Sequence, residues 1–149
     1  MAITKMTSET IAVASDHAGF KFKEKLKDVL EGMGYTVLDL GTYSELSVDY
    51  PDFADAVAHA LENGSAKRGV AVCGTGTGIA LAANRHRNVR AVVCHNTTEA
   101  RLARQHNDAN VIAFGARTMG IETSTDALKA FLETEFEGGR HIRRLAKYS

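Results

Sequence analysis

Residues 68–85 read "RGVAVCGTGTGIALAANR". A short apolar run ends at Cys73, three glycines and two threonines fill the next five positions, and apolar residues resume at Ile79. The run reads as a buried strand and "IALAANR" as helix, so the glycine turn joins one to the other. Segments of the same two kinds alternate on either side. Upstream, "TIAVAS" (10–15) is a strand, and Phe22, Leu26, Val29, Leu30 and Met33 recur at helical spacing before Gly34, a helix stop. "TVLDLG" (36–41) is a second strand and "SELSVDYP" a loop. The next helix carries Pro51 in its first turn and Phe53, Val57 and Leu61 on its inner stripe, and "ENGSA" closes it. Downstream, "VRAVVC" (89–94) and "NVIAFG" (110–115) are strands. Between them "TTEARLARQHND" is a helix, with Thr97 or Thr98 as N-cap and Glu99 in its first turn. A last helix runs through about 119–135 with Leu128, Phe131 and Leu132 facing inward; about 137–149 is a basic tail with a glycine break and a helical segment. Five apolar strands alternating with helices predict one α/β domain over 1–149. Its architecture is a doubly wound, Rossmann-like parallel sheet with helices on both faces.

The chain carries 18 basic and 18 acidic residues among 149. That balance gives no support for nucleic acid or an anionic membrane as the main partner. No apolar run approaches the roughly 18 residues of a spanning helix. "MAITKMTSET" (1–10) lacks the apolar core of a secretory signal. The two cysteines, Cys73 and Cys94, make no disulfide framework. Together these features favour a cytoplasmic protein with reduced thiols.

In a doubly wound sheet, ligands bind beyond the C-terminal ends of the strands, near a switch in strand order. That rule nominates Ser15-Asp16-His17, Gly41-Thr42, Cys73 to Gly78, Cys94-His95 and Gly115-Ala116-Arg117. Glycines tolerate positive φ and leave the backbone bare, so N–H groups of the glycine loop can converge where a helix begins, a place that favours an anion. No Gly-Lys-Ser/Thr ends the loop, and the Rossmann G-x-G-x-x-G spacing is not met. Cys73 stands just before this nest. Read alone, it is either a small buried hydrophobe or a thiol that the loop's dipoles turn toward thiolate. Cys94 has no such loop and reads as a buried hydrophobe. The six histidines form no H-x-x-x-H pair and there is no Cys-x-x-Cys, so no metal site is expected. No Gly-x-Ser-x-Gly elbow occurs either. Arg140 and Arg144 would share a helix face and could grip a phosphate, although "GGRHIRR" read alone is more ordinarily a solvated basic tail.

Taken together, "ASDHAGFKFKEKL", "DLGTYSELSVDYPDFA", "CGTGTGIALAANR", "RAVVCHN", "ARLARQHNDANVIAFGAR" and "FEGGRHIRR" cover nearly the whole chain. In this order and spacing they resemble the type B ribose-5-phosphate isomerases, in the wider group that includes the galactose-6-phosphate isomerase subunits. The resemblance implies an aldose–ketose isomerase acting on a sugar phosphate without metal or cofactor. It implies a homodimer, or a dimer of dimers, with active sites at the subunit interface. It also implies that Cys73 is the base of an enediolate mechanism and that Gly74, Thr75, Gly76, Thr77 and Gly78 form the anion hole, Thr75 counting among the catalytic groups. A second version of the family has a glutamate base just after the loop; Ile79 stands there here, so this chain resembles the cysteine version. Asp16 and His106 match the groups that assist ring opening, Asp16 also binding the sugar. Asn107 matches a sugar-hydroxyl ligand. His17, Arg117, Arg140 and Arg144 match phosphate and sugar contacts. His106, Asn107 and Arg117 would come from the partner subunit, and Tyr50 would line the pocket.

Ribose 5-phosphate is the expected substrate, with allose 6-phosphate, galactose 6-phosphate or a tetrose phosphate as alternatives. A catalytically silent phosphosugar-binding module is the rival of another class; such a sensor needs neither Cys73 nor the Asp16–His106 pair. A cysteine-dependent redox or hydrolytic enzyme is disfavoured, because no resolving cysteine lies close in sequence and no nucleophile motif is present.

Overall fold

The computed structural model describes residues 9–149. The reading of 1–10 as free of a leader falls on residues that lie, but for the last two, outside those described. The elements run β1 (Thr10–Ser15), α1 (Phe20–Gly32), β2 (Thr36–Asp39), α2 (Tyr50–Glu62), β3 (Arg68–Cys73), α3 (Thr77–Ala83), β4 (Ala91–Val93), α4 (Thr97–Asn107), β5 (Val111–Gly115), α5 (Ile121–Glu133) and α6 (Arg140–Ala146). The strands form one parallel sheet in the order β2-β1-β3-β5-β4. No helix among the described residues is long and apolar enough to cross a membrane.

Successive strand residues point to opposite faces, and the two faces differ in bulk. Toward α1, α4 and α5 the strands present Ile11, Val13, Val70, Val72, Ile112 and Phe114. Toward α2 and α3 they present Ala12, Ala14, Ala71, Cys73, Val111 and Ala113. Ile79, Ala80 and Ala83 of α3 pack on this face, and α3 begins four residues after β3 ends. As expected, Gly34 ends α1: at φ 92° it donates to the Glu31 carbonyl, and Tyr35 N–H reaches the Leu30 carbonyl.

Three local expectations are corrected. The cap of α4 is Asn96, whose Oδ1 accepts the Glu99 N–H at 2.8 Å; Thr97 and Thr98 sit inside the first turn. Strand β4 is shorter than 89–94 because side chains take over its entry bonds: Asn84 binds both the N–H and the carbonyl of Ala91, and Asn110 Oδ1 accepts from Arg90 N–H. Strand β2 ends at Asp39, after which the chain turns at Gly41 (φ 94°) while still bonding to Ser15.

Asp39 fastens that turn. Its carboxylate takes the fully buried Lys23 ammonium at 2.7 Å, Lys27 at 2.8 Å and the Gly41 N–H at 3.0 Å. Burial alone would raise the Asp39 pKa, but these bonds outweigh it and hold the carboxyl below its ordinary range. A carboxyl depressed in the folded state adds stability above its unfolded pKa, and that stability drains away as the pH falls toward the folded value. Chemical-denaturation midpoints are therefore expected to fall as the pH drops below about 4. Asp39→Asn, already less stable at neutral pH because it leaves the buried Lys23 ammonium only Glu24, at 3.4 Å, as a carboxylate partner among the described residues, should flatten that acid slope.

Candidate active site

The chain leaves β1 toward one sheet edge and β3 toward the other, so the strand order switches between them. Register sets Ser15 opposite Val72, and Cys73 opposite Gly115. Three expected segments therefore meet at the C-terminal ends of the strands: Asp16-His17, Cys73 to Gly78, and Gly115 to Arg117. Asp16 is buried; its N–H donates to the Val72 carbonyl and its Oδ1 accepts the Gly19 N–H, both at 3.1 Å. His17 Nδ1 accepts the Val48 N–H at 3.1 Å. The neutral ring thus carries its proton on Nε2, which becomes a donor for an anion.

Cys73 is buried at the root of the glycine loop, and the Gly76 N–H donates to its sulfur at 3.1 Å. Gly76 manages this at φ 81°, a left-handed conformation in which a Cβ would press the Phe114 backbone at 3.0 Å. The Thr77 N–H is taken by Thr75 Oγ1 at 3.2 Å. Gly115 must also be bare, since a Cβ there would stand 2.5 Å from the Thr75 backbone. Arg117 donates its N–H to the Gly74 carbonyl at 2.8 Å and lays its side chain over Gly74. The Tyr50 ring lies against Gly78, where a Cβ would come within 2.7 Å of it. Cys94 stays apart: it is fully buried, and burial, helped by Glu99, pushes its thiol up to about 12.

The remaining expected residues lie elsewhere. Helix α4 starts beyond the C-terminal end of β4 and runs back, so His106 and Asn107 finish near the start of β5. Cys73 is level with the end of β5, about 13 Å away along a strand rising about 3.3 Å per residue. Helix α6 docks at that far end. The His141 ring stacks on His106 with centroids 4.6 Å apart, and the Glu137 N–H donates to the Gln105 carbonyl at 3.1 Å. Arg140 and Arg144 therefore accompany His106 rather than Cys73. His141 is buried with Nε2 unpartnered; burial, then the charges of Arg140 and His106, lower its pKa. A cavity of about 450 Å³ opens at this end too, with Arg87, Arg90, Asn107 and Tyr148 in its wall.

The expected site residues thus fall into two groups at opposite ends of the sheet. Arg117, expected with His106 and Asn107 on the partner's side, lies instead beside Cys73 of its own chain, because it follows β5 by only two residues. Sequence reasoning missed Val48, Glu137 and His141. The latter two flank the quoted "GGR", but no spacing rule marks them.

The family model described as ribose/galactose isomerase matches residues 11–148. The chain is 44% identical to ribose-5-phosphate isomerase B of Escherichia coli over 91% of each sequence. It is 39% identical to the D-erythrulose-4-phosphate isomerase of Pectobacterium atrosepticum, covering 93% of this chain and 91% of that one. The crystal structure of a ribose 5-phosphate isomerase from Thermotoga maritima matches with a TM-score of 0.93 at 48% identity, over 95% of this chain and 98% of that one.

Proposed function

This chain belongs to the ribose/galactose isomerase family, and on that footing we propose that it interconverts ribose 5-phosphate and ribulose 5-phosphate. The observation that carries the reading is Cys73 with the Gly76 N–H on its sulfur, beside buried Asp16 at the strand-order switch. A base at that point takes the proton from C2 of the open-chain aldose, and the proton returns at C1 of the enediolate. Gly76 and Thr77 already spend their N–H groups inside the loop. Gly74, Thr75 and Gly78 are then the positions left to supply donors to the enediolate oxygens.

Ring opening falls to Asp16 with His106, and phosphate binding to His17, Arg117, Arg140 and Arg144. The separation of the two groups supports a homodimer. A two-fold axis sets the His106 end of one chain against the Cys73 end of the other and completes two sites at once. Asn107 then contacts a sugar hydroxyl of the substrate held by the partner. We read the location as cytoplasmic from the reduced cysteines and the reaction class.

The substrate choice rests on the relatives: the ribose 5-phosphate enzymes compared are 44% and 48% identical, the tetrulose phosphate enzyme 39%. The test is kcat/KM for ribose 5-phosphate, allose 6-phosphate and erythrulose 4-phosphate side by side. Ribose 5-phosphate should give the highest value; a higher one for the four-carbon sugar overturns the assignment.

A further inference from the structure

At the far end of the sheet Glu137 and His141 bracket His106. Glu137 Oε1 stands 3.6 Å from His106 Nε2. Its own backbone N–H is tied to the Gln105 carbonyl, so the carboxylate is anchored one residue from the histidine it faces. His141 covers one face of the His106 ring, with 16° between the planes, and Phe136 backs His141 at 6.4 Å. His106 Nδ1 makes no hydrogen bond among the described residues, and the side chain is 39% exposed. One edge and one face of the ring are held, and the other nitrogen is left open.

His106, Glu137 and His141 also offer ligand atoms within 4.8 Å of one another, but the cluster does not read as a cation site. The rings are nearly parallel, so their in-plane lone pairs run side by side instead of converging. Arg140 and Arg144 add positive charge beside His141. The carboxylate instead faces one ring nitrogen of His106 at ion-pair distance, the side from which a carboxylate biases a histidine tautomer.

We infer that Glu137 is the positioning residue of His106: it holds the proton on Nε2, so that Nδ1 is the nitrogen that exchanges protons with the sugar. This rests on the reading of His106 as a ring-opening group. At 3.6 Å the pair is an ion-pair contact, longer than a hydrogen bond, and the ring tautomer reads directly whether it orients His106.

The test uses the full-length protein and two readouts. Imidazole ¹⁵N NMR should show His106 as the Nε2–H tautomer in wild type and as a mixture in Glu137→Ala. Glu137 is exposed, so the alanine variant should fold. Its kcat/KM for ribose 5-phosphate should fall about 10–100-fold, the usual cost of losing an orienting partner, mainly in kcat. Glu137→Gln, whose carbonyl still accepts from Nε2, should recover part of that loss. In the His106→Asn background, Glu137→Ala should cost nothing further, since it acts only through His106. An unchanged tautomer with wild-type kcat in Glu137→Ala overturns the inference, as does a full additional loss in the double variant. If His106→Asn alone is as active as wild type, the ring-opening assignment fails, and the tautomer spectrum still decides whether Glu137 orients the ring.

Discussion

Cys73→Ala is expected to lower kcat for ribose 5-phosphate by about 10²–10⁴-fold, the span typical of a lost general base. The change removes one sulfur and leaves the loop backbone in place, so unfolding midpoints should move little. The matched control is Cys94→Ala. That thiol is fully buried, raised to about 12 and remote from the strand-order switch, so turnover should stay near wild type. The carbon-bound proton gives a sharper reading than turnover. Its exchange with solvent, starting from ribulose 5-phosphate, needs the base but not ring opening, and should collapse in Cys73→Ala. Normal exchange there, with loss in Cys94→Ala, would mean the wrong thiol has been chosen.

The second large effect is expected at the arginines of α6. Hydrogen bonds to charged groups are worth about 1.5–3 kcal/mol each, so Arg140→Ala and Arg144→Ala should each lower kcat/KM for ribose 5-phosphate by roughly 10–100-fold. KM should rise in both. Because the phosphate is remote from the reacting carbons, its binding energy also holds the sugar in a reactive pose, so kcat should fall as well. Arg140→Lys keeps the charge without the bidentate fork and should restore activity only in part. Residual turnover of unphosphorylated ribose should be unaffected, which separates a lost phosphate grip from a folding defect. If the preference for the phosphorylated sugar survives both substitutions, the phosphate is held by His17 and Arg117 alone.

What was legible in the sequence follows from which interactions are local. Strands β1 and β3 fall on their expected residues because each is an apolar run buried on both faces. Gly34 closes α1 as read, since a positive-φ stop needs only its own turn. The ends of β2 and β4 were not legible, because side-chain bonds decide them: Asp39 takes the Gly41 N–H two residues on, Asn84 reaches Ala91 seven residues on, and Asn110 reaches Arg90 twenty residues back, and no periodicity marks such bonds. At the site, Asp16, Cys73 and the glycine loop were readable from the strand-end rule. That rule could not show that His106 and Arg140 lie at the other end of the sheet. Their place depends on how far α4 runs back and on where α6 docks, both set by packing.

The central claim is that one catalytic site takes Cys73 from one chain and His106 from another. It is tested most directly by co-refolding equal amounts of Cys73→Ala and His106→Asn chains. Random pairing makes about half of the dimers mixed, each with one intact and one doubly damaged site, given the reciprocal contacts of a two-fold interface. The mixture should therefore regain about a quarter of wild-type kcat per chain, with each variant alone expected well below that. A mixture no more active than the average of its two components would contradict the shared site.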